Sequence, residues 1–135
     1  MKSIVAIFSA VCLFVAAGLI SPVQAQDQDA RSEAIMAYNN ARELAQNRQF
    51  VDAIEMYREA RSLAASPDCE GCEDIVQFVD QQLPRVYYNR AGVAFEEFRS
   101  QRSEEAAMRA IEYFQEAQAA GEEFGDQEVA RTARS

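Results

Sequence analysis

The octet Ala53-Ile54-Glu55-Met56-Tyr57-Arg58-Glu59-Ala60 returns 57 residues later as Ala110-Ile111-Glu112-Tyr113-Phe114-Gln115-Glu116-Ala117. Upstream of each, Tyr38-Asn39-Asn40-Ala41 returns 50 residues later as Tyr88-Asn89-Arg90-Ala91. Two matches in the same order mark an internal repeat, which decides the architecture before any local feature does. The two offsets differ by seven, so the second unit carries an insertion between its paired segments. Within both units the apolar spacing is helical. Ile54, Tyr57, Ala60 and Ala64 fall three or four residues apart, as do Ala107, Ile111, Phe114, Ala117 and Ala120. Nineteen alanines lie between residues 26 and 135, which favours helices whose axes approach closely.

The punctuation around the repeat sets the helix limits. Asn47-Arg48-Gln49 reads as a short turn between helices over about 29–47 and 51–65, and Ser66-Pro67-Asp68 reads as a stop. A further helical stretch runs from about 72 to 99, with Pro84 expected to kink or divide it. Ser103 followed by Glu104 and Glu105 has the pattern of an N-cap with acids at the positive helix end. Near the C-terminus, Gly125-Asp126-Gln127-Glu128-Val129-Ala130 echoes Gly71-Cys72-Glu73-Asp74-Ile75-Val76. A short linking helix over 126–134 is therefore expected, acting as a frayed cap or as the start of a further unit.

These residues make the chain resemble the tetratricopeptide repeat family, whose unit is an antiparallel helix pair of about 34 residues. In the first unit, Ala41, Ala53 and Ala60 stand at the family's three small positions, and Leu44, Phe50 and Tyr57 at large ones. Pro67 lies near the closing proline, while Ala37 replaces a usual aromatic. In the second unit, Ala91, Ala110, Ala117 and Phe114 match, whereas Ala107 replaces the aromatic before Ala110 and an insertion lies around Arg99–Glu105. The resemblance implies an all-α fold in which antiparallel helix pairs stack as a short right-handed solenoid. It divides the chain into an N-terminal linker at 26–31, unit 1 at 32–67, a linking helix with the cysteine pair at 68–83, unit 2 at 84–124 and an incomplete third unit or cap at 125–135. Periodicity alone would also suit an Ala-rich bundle; the ordered recurrence favours the repeat.

The N-terminal 25 residues read differently. Met1-Lys2-Ser3 precedes an apolar run from Ile4 to Ile20, a Ser21-Pro22 break and Val23-Gln24-Ala25. That is the pattern of a cleaved secretory signal peptide, although a retained anchor is the competing possibility. Cleavage after Ala25 would remove the lone lysine and Cys12. It would leave 12 Arg against 22 Asp and Glu, a formal charge of −10 where the whole chain has −9.

Composition excludes much chemistry. With no His there is no imidazole base, Ser-His-Asp triad or His-ligated zinc. The acidic balance argues against nucleic acid, which needs a basic stripe. No glycine-rich phosphate loop is present, and no cofactor or metal is expected. Cys69-Glu70-Gly71-Cys72 carries the reactive atoms. Asp68, Glu70, Glu73 and Asp74 crowd it and oppose thiolate formation, so an export-compatible disulfide is expected, with thiol redox or metal handling as the alternative function. Glu55, Glu59, Glu112 and Glu116, near Arg58, Arg61 and Arg109, read as a solvated ion-paired face rather than a catalytic dyad.

Binding is the better-supported function. In the family resembled here, first-helix residues line a groove. By position these are Tyr38, Asn39, Arg42 and Gln46 in unit 1 and Tyr88, Asn89, Phe95 and Glu96 in unit 2. Aromatic rings supply contact area and amides hold a peptide backbone, though Tyr87 and Tyr88 also suit packing between helices. The expected protein is a non-enzymatic, periplasmic or secreted scaffold or adaptor that binds a protein or peptide and has no membrane span once the leader is removed. Self-association through an uncapped C-terminal face is a further expectation.

Overall fold

A computed structural model describes residues 22–135, with side chains from Asp29 onward. The apolar run Ile4–Ile20, on which the leader reading rests, lies outside the described residues. The described chain is all-α. Its helices are α1 (Pro22–Gln46), α2 (Phe50–Ala64), α3 (Glu73–Gln101), α4 (Glu104–Phe124) and α5 (Gln127–Arg134). None is long and apolar enough to cross a membrane.

Each helix packs mainly on its neighbours in sequence, and α3 makes a lesser contact with both α1 and α5. The pairings are antiparallel. Asn47–Gln49 leaves α1 and α2 no room for any other arrangement. Arg90 meets Glu116 while Glu97 meets Arg109, so residue numbers rise along α3 as they fall along α4. Likewise Arg61 meets Asp80 while Arg58 lies over Tyr87.

Local chemistry sets the boundaries. Ser103 accepts a hydrogen bond from the Ala106 amide at 3.2 Å and caps α4. Asp126 does the same for the Val129 amide at 3.1 Å and caps α5. Pro84 does not divide the 72–99 stretch: α3 runs through it as one helix, with Pro84 buried. The linking segment and the first helix of the second unit are thus one continuous element.

The turns reveal a register that the sequence motifs hide. Arg48 and Arg102 take left-handed backbone conformations at the two hairpin tips, and Gly71 and Gly125 do so at the two links. Both pairs lie 54 residues apart. Tyr38 precedes Arg48 by ten residues, but Tyr88 precedes Arg102 by fourteen; Ala53 follows Arg48 by five, but Ala110 follows Arg102 by eight. The seven-residue insertion therefore splits across the tip of the second hairpin, adding about one turn to each helix.

A single apolar core runs from Ala34 in α1 to Val129 in α5, with Tyr57, Val79 and Leu83 among its largest fully buried side chains. Alanines 34, 41, 53, 60, 91 and 117 sit at the helix crossings without exposure, which permits the close axes. Burying a side chain the size of Ile54 or Leu83 contributes roughly 1.5–3 kcal/mol.

Candidate binding clefts

The repeated motifs place equivalent aromatic pairs between the helices of each hairpin. Tyr38 of α1 and Tyr57 of α2 meet edge to face at 5.8 Å and 65°. Tyr88 of α3 and Phe114 of α4 meet at the same 5.8 Å and 65°. Such contacts contribute about 0.5–1.5 kcal/mol beyond burial. Tyr57 is 2% exposed, and burial pushes its hydroxyl up to about 12; nearby Tyr38 adds to the rise and Arg42 opposes it.

The two pairs are covered differently. Phe78 of α3 approaches Tyr38 at 6.2 Å and closes over the first pair. The second pair opens onto an apolar cleft of about 490 Å³ bounded by Tyr88, Phe95 and Phe98 of α3, Ile111 of α4, and Thr132 and Ala133 of α5. Phe95 also stacks against Phe114 and Phe98, at 6.4 and 6.1 Å. Ile54 in α2 is 5% exposed, whereas its counterpart Ile111 is 58% exposed.

Of the eight residues singled out from the sequence, Tyr88 and Phe95 line this cleft together. Asn89 and Glu96 are exposed on α3, and Glu96 pairs with Arg99 at 3.1 Å. On α1, Tyr38 is half-buried beneath Arg42, whose guanidinium lies 5.9 Å from the ring; Asn39 and Gln46 are exposed. The cleft around Tyr88 and Phe95 includes none of the α1 quartet.

A second cleft, of about 510 Å³, lies between α2 and α4 above α3. Arg58 and Arg90 both lie over the Tyr87 ring, at 5.6 and 5.2 Å, and Arg90 also lies 4.1 Å from the Tyr113 centroid. Arg90 pairs with Glu116, and its buried Nε has no hydrogen-bond partner among the described residues. Sequence reasoning missed this cluster, although a signal was present: Arg90 replaces Asn40 within the recurring tetrad. The expected ion-paired face changes accordingly. Arg61 bonds Asp80 of α3 at 2.6 Å, and Arg109 bridges Glu97 and Glu105. Most of these charges tie helices together instead of running along one.

Cys69 and Cys72 form a disulfide in the link before α3. Both residues are buried. Arg31 of α1 donates to the Gly71 carbonyl and, through two nitrogens, to Asp74 at 2.9 and 3.2 Å, clamping this link against the first helix. The Arg31 hydrogen bond holds the Asp74 carboxyl below its ordinary value. A buried disulfide offers an attacking thiolate little access, so the arrangement suits a staple. Among the described residues no three acidic or cysteine side chains converge as a metal site.

Fold and clefts together define an all-α protein of sequentially packed antiparallel helices, with apolar concavities between them and a stapled link. Comparison with family models, curated proteins and solved structures finds no match to this chain.

Proposed function

We propose that the chain is an exported, non-catalytic repeat module of the tetratricopeptide type, a short right-handed solenoid that docks protein or peptide partners as a scaffold or adaptor. The observation that carries this is the cleft at Tyr88 and Phe95. Two residues expected in the groove from the family resemblance line one apolar concavity of ligand-binding size. Exposed Asn89, next to Tyr88 on α3, supplies an amide of the kind an extended peptide backbone needs. The equivalent edge-to-face pairs support the repeat, and the buried disulfide supports an oxidising compartment.

The test is selection of displayed peptides on the full chain, followed by titration of the selected peptides against variants. Tyr88→Ala, Asn89→Ala and Phe95→Ala should each weaken binding by roughly tenfold, about 1.4 kcal/mol. No enrichment over a blank surface, or binding indifferent to all three substitutions, would overturn the proposal.

A further inference from the structure

We propose that the cleft between α2 and α4 is a separate binding site for a small zwitterion with an apolar side chain, a free amino acid or a di- or tripeptide. The proposal does not depend on the peptide groove at Tyr88 and Phe95, because the two clefts share no lining residue.

The floor of this cleft is Tyr87 of α3, and its walls come from α2 and α4, so no terminal helix contributes to it. Arg61 of α2 lies 5.4 Å from the Phe124 ring of α4 and joins the two walls. The volume of about 510 Å³ falls in the range of small-ligand sites. Val51 and Ile54 on one wall, and Ala119 and Ala120 on the other, offer apolar surface to a ligand side chain. Val51 is exposed there.

Five charges line the cleft, and only two of them cancel. Arg90 donates through Nη2 to Glu116. Its Nε is buried, whereas its Nη1 is not buried and has no partner among the described residues. Arg58 touches the Tyr87 ring but makes no ion pair or hydrogen bond among the described residues, and Glu55 and Glu123 have no ion pair there either. A simple anion would bring its charge against Glu55 and Glu123, and a simple cation would meet Arg58 and Arg90. A zwitterion answers both signs. Its carboxylate accepts from Arg58 and from Nη1 of Arg90, while its ammonium donates to Glu55 and Glu123.

The stacked cluster is particular to the second unit. By repeat register, Tyr87, Arg90 and Tyr113 replace Ala37, Asn40 and Met56, whereas Glu116 matches Glu59. The three changes act together. Tyr87 at 5.2 Å and Tyr113 at 4.1 Å hold the Arg90 guanidinium by stacking, which fixes it before a ligand arrives.

The test is a heteronuclear NMR titration of the full chain with leucine and with leucyl-leucine. At least one should move the amides of Ile54, Ala119 and Ala120. Tighter binding of leucine assigns the site to amino acids, and tighter binding of leucyl-leucine assigns it to short peptides. Acetylating the amine or amidating the carboxyl of the better ligand should weaken it by about tenfold or more. Arg58→Gln should weaken the uncapped ligand to a similar degree. Glu55→Gln with Glu123→Gln should weaken the uncapped ligand but not its acetylated form, which has no ammonium to lose. These positions are exposed, so thermal melts should show the variants folded, and the capped ligands test the parent protein in any case. Phe95→Ala, in the other cleft, should leave binding unchanged. No binding of either zwitterion, capped forms that bind as tightly, or shifts centred on Tyr88 and Phe95 would overturn the proposal. Binding indifferent to Arg58→Gln and to the double glutamate variant would do the same, because a cluster that only ties α3 to α4 predicts that result.

Discussion

The two hairpins carry nearly the same octet, Ala-Ile-Glu-x-(Tyr or Phe)-x-Glu-Ala, yet they bury it to different depths. In the first, Ile54 and Tyr57 are core residues, because 29-residue α3 lies along the groove between α1 and α2. In the second, Ile111 faces solvent and Phe114 is half-buried, because eight-residue α5 covers only part of the groove. Burial here is decided by the length of the following helix and not by the motif. The helix that follows each hairpin completes its core, so the same residues form interior in one hairpin and exposed surface in the other.

The most severe test exchanges these roles. Ile54→Ala should destabilise the protein by about 2–5 kcal/mol, the cost of a large-to-small change in a packed core. Ile111→Ala, at the matching position, should stay within about 0.5 kcal/mol, as for a surface change. Urea denaturation of both variants measures the difference. Similar losses at the two sites would mean that the second octet is covered in solution, and the contrast between the hairpins would collapse.

That contrast shows what the sequence could disclose. Helix existence, the 47–49 turn and the Ser103 cap were all legible, because each depends on short-range periodicity or on one side chain meeting a nearby amide. The position of the insertion was legible to within a few residues; its division across the hairpin tip required the left-handed conformations of Arg48 and Arg102. Pro84 misled in part. A proline removes one helical hydrogen bond, but this one is buried against the core, and packing carries α3 through it. Of the candidate groove, Tyr88 and Phe95 converge, whereas the α1 quartet lies elsewhere, since register assigns a face but not the distance between faces. The Arg90 cluster escaped notice because stacking on Tyr87 and Tyr113 joins residues from two helices.

The links extend the comparison. Eight residues, 65–72, join α2 to α3 and are stapled by a disulfide, while two residues, 125–126, join α4 to α5. Cys69→Ser with Cys72→Ser should cost about 2 kcal/mol from loss of the short cross-link. Hydrogen exchange should locate the loss at the first link and the start of α3, with α5 unchanged. Equal loosening of α5 would show that the staple serves the whole array.

The tighter second link explains a glycine in the middle of a helix. A Cβ on Gly121 would lie 2.6 Å from the Ala130 nitrogen and 2.9 Å from the Asp126 carbonyl oxygen, so α5 rests directly on the α4 backbone. The matching residue in α2 is Ala64, where the longer link leaves room for a methyl group. Gly121→Ala should set roughly 1–3 kcal/mol of overpacking against about 1 kcal/mol of improved helix propensity. A net loss on the order of 1 kcal/mol is expected, confined to α5 and visible as faster proteolysis within 127–134. Ala64→Gly should cost a similar amount through propensity alone, without freeing α3. Unaltered protection of α5 in Gly121→Ala would show that α5 is not held by this close approach.

The smallest effect concerns the Arg31–Asp74 pair that holds the first link to α1. Both side chains are substantially exposed, so the pair is screened and its worth is modest. Its sign is nevertheless fixed. Arg31 lowers the folded-state value of Asp74, so the folded protein binds that proton less readily than the unfolded chain does. The contribution is fully present above the unfolded value of about 4 and disappears as pH falls through the lower folded value. Asp74→Asn should therefore melt slightly below the parent at pH 7, and the two should converge as pH approaches about 2. High salt should narrow the gap at pH 7 in the same way. A gap that persists in acid would assign the effect to the Asp74 hydrogen bonds as such, and the charge would have no part in clamping the link.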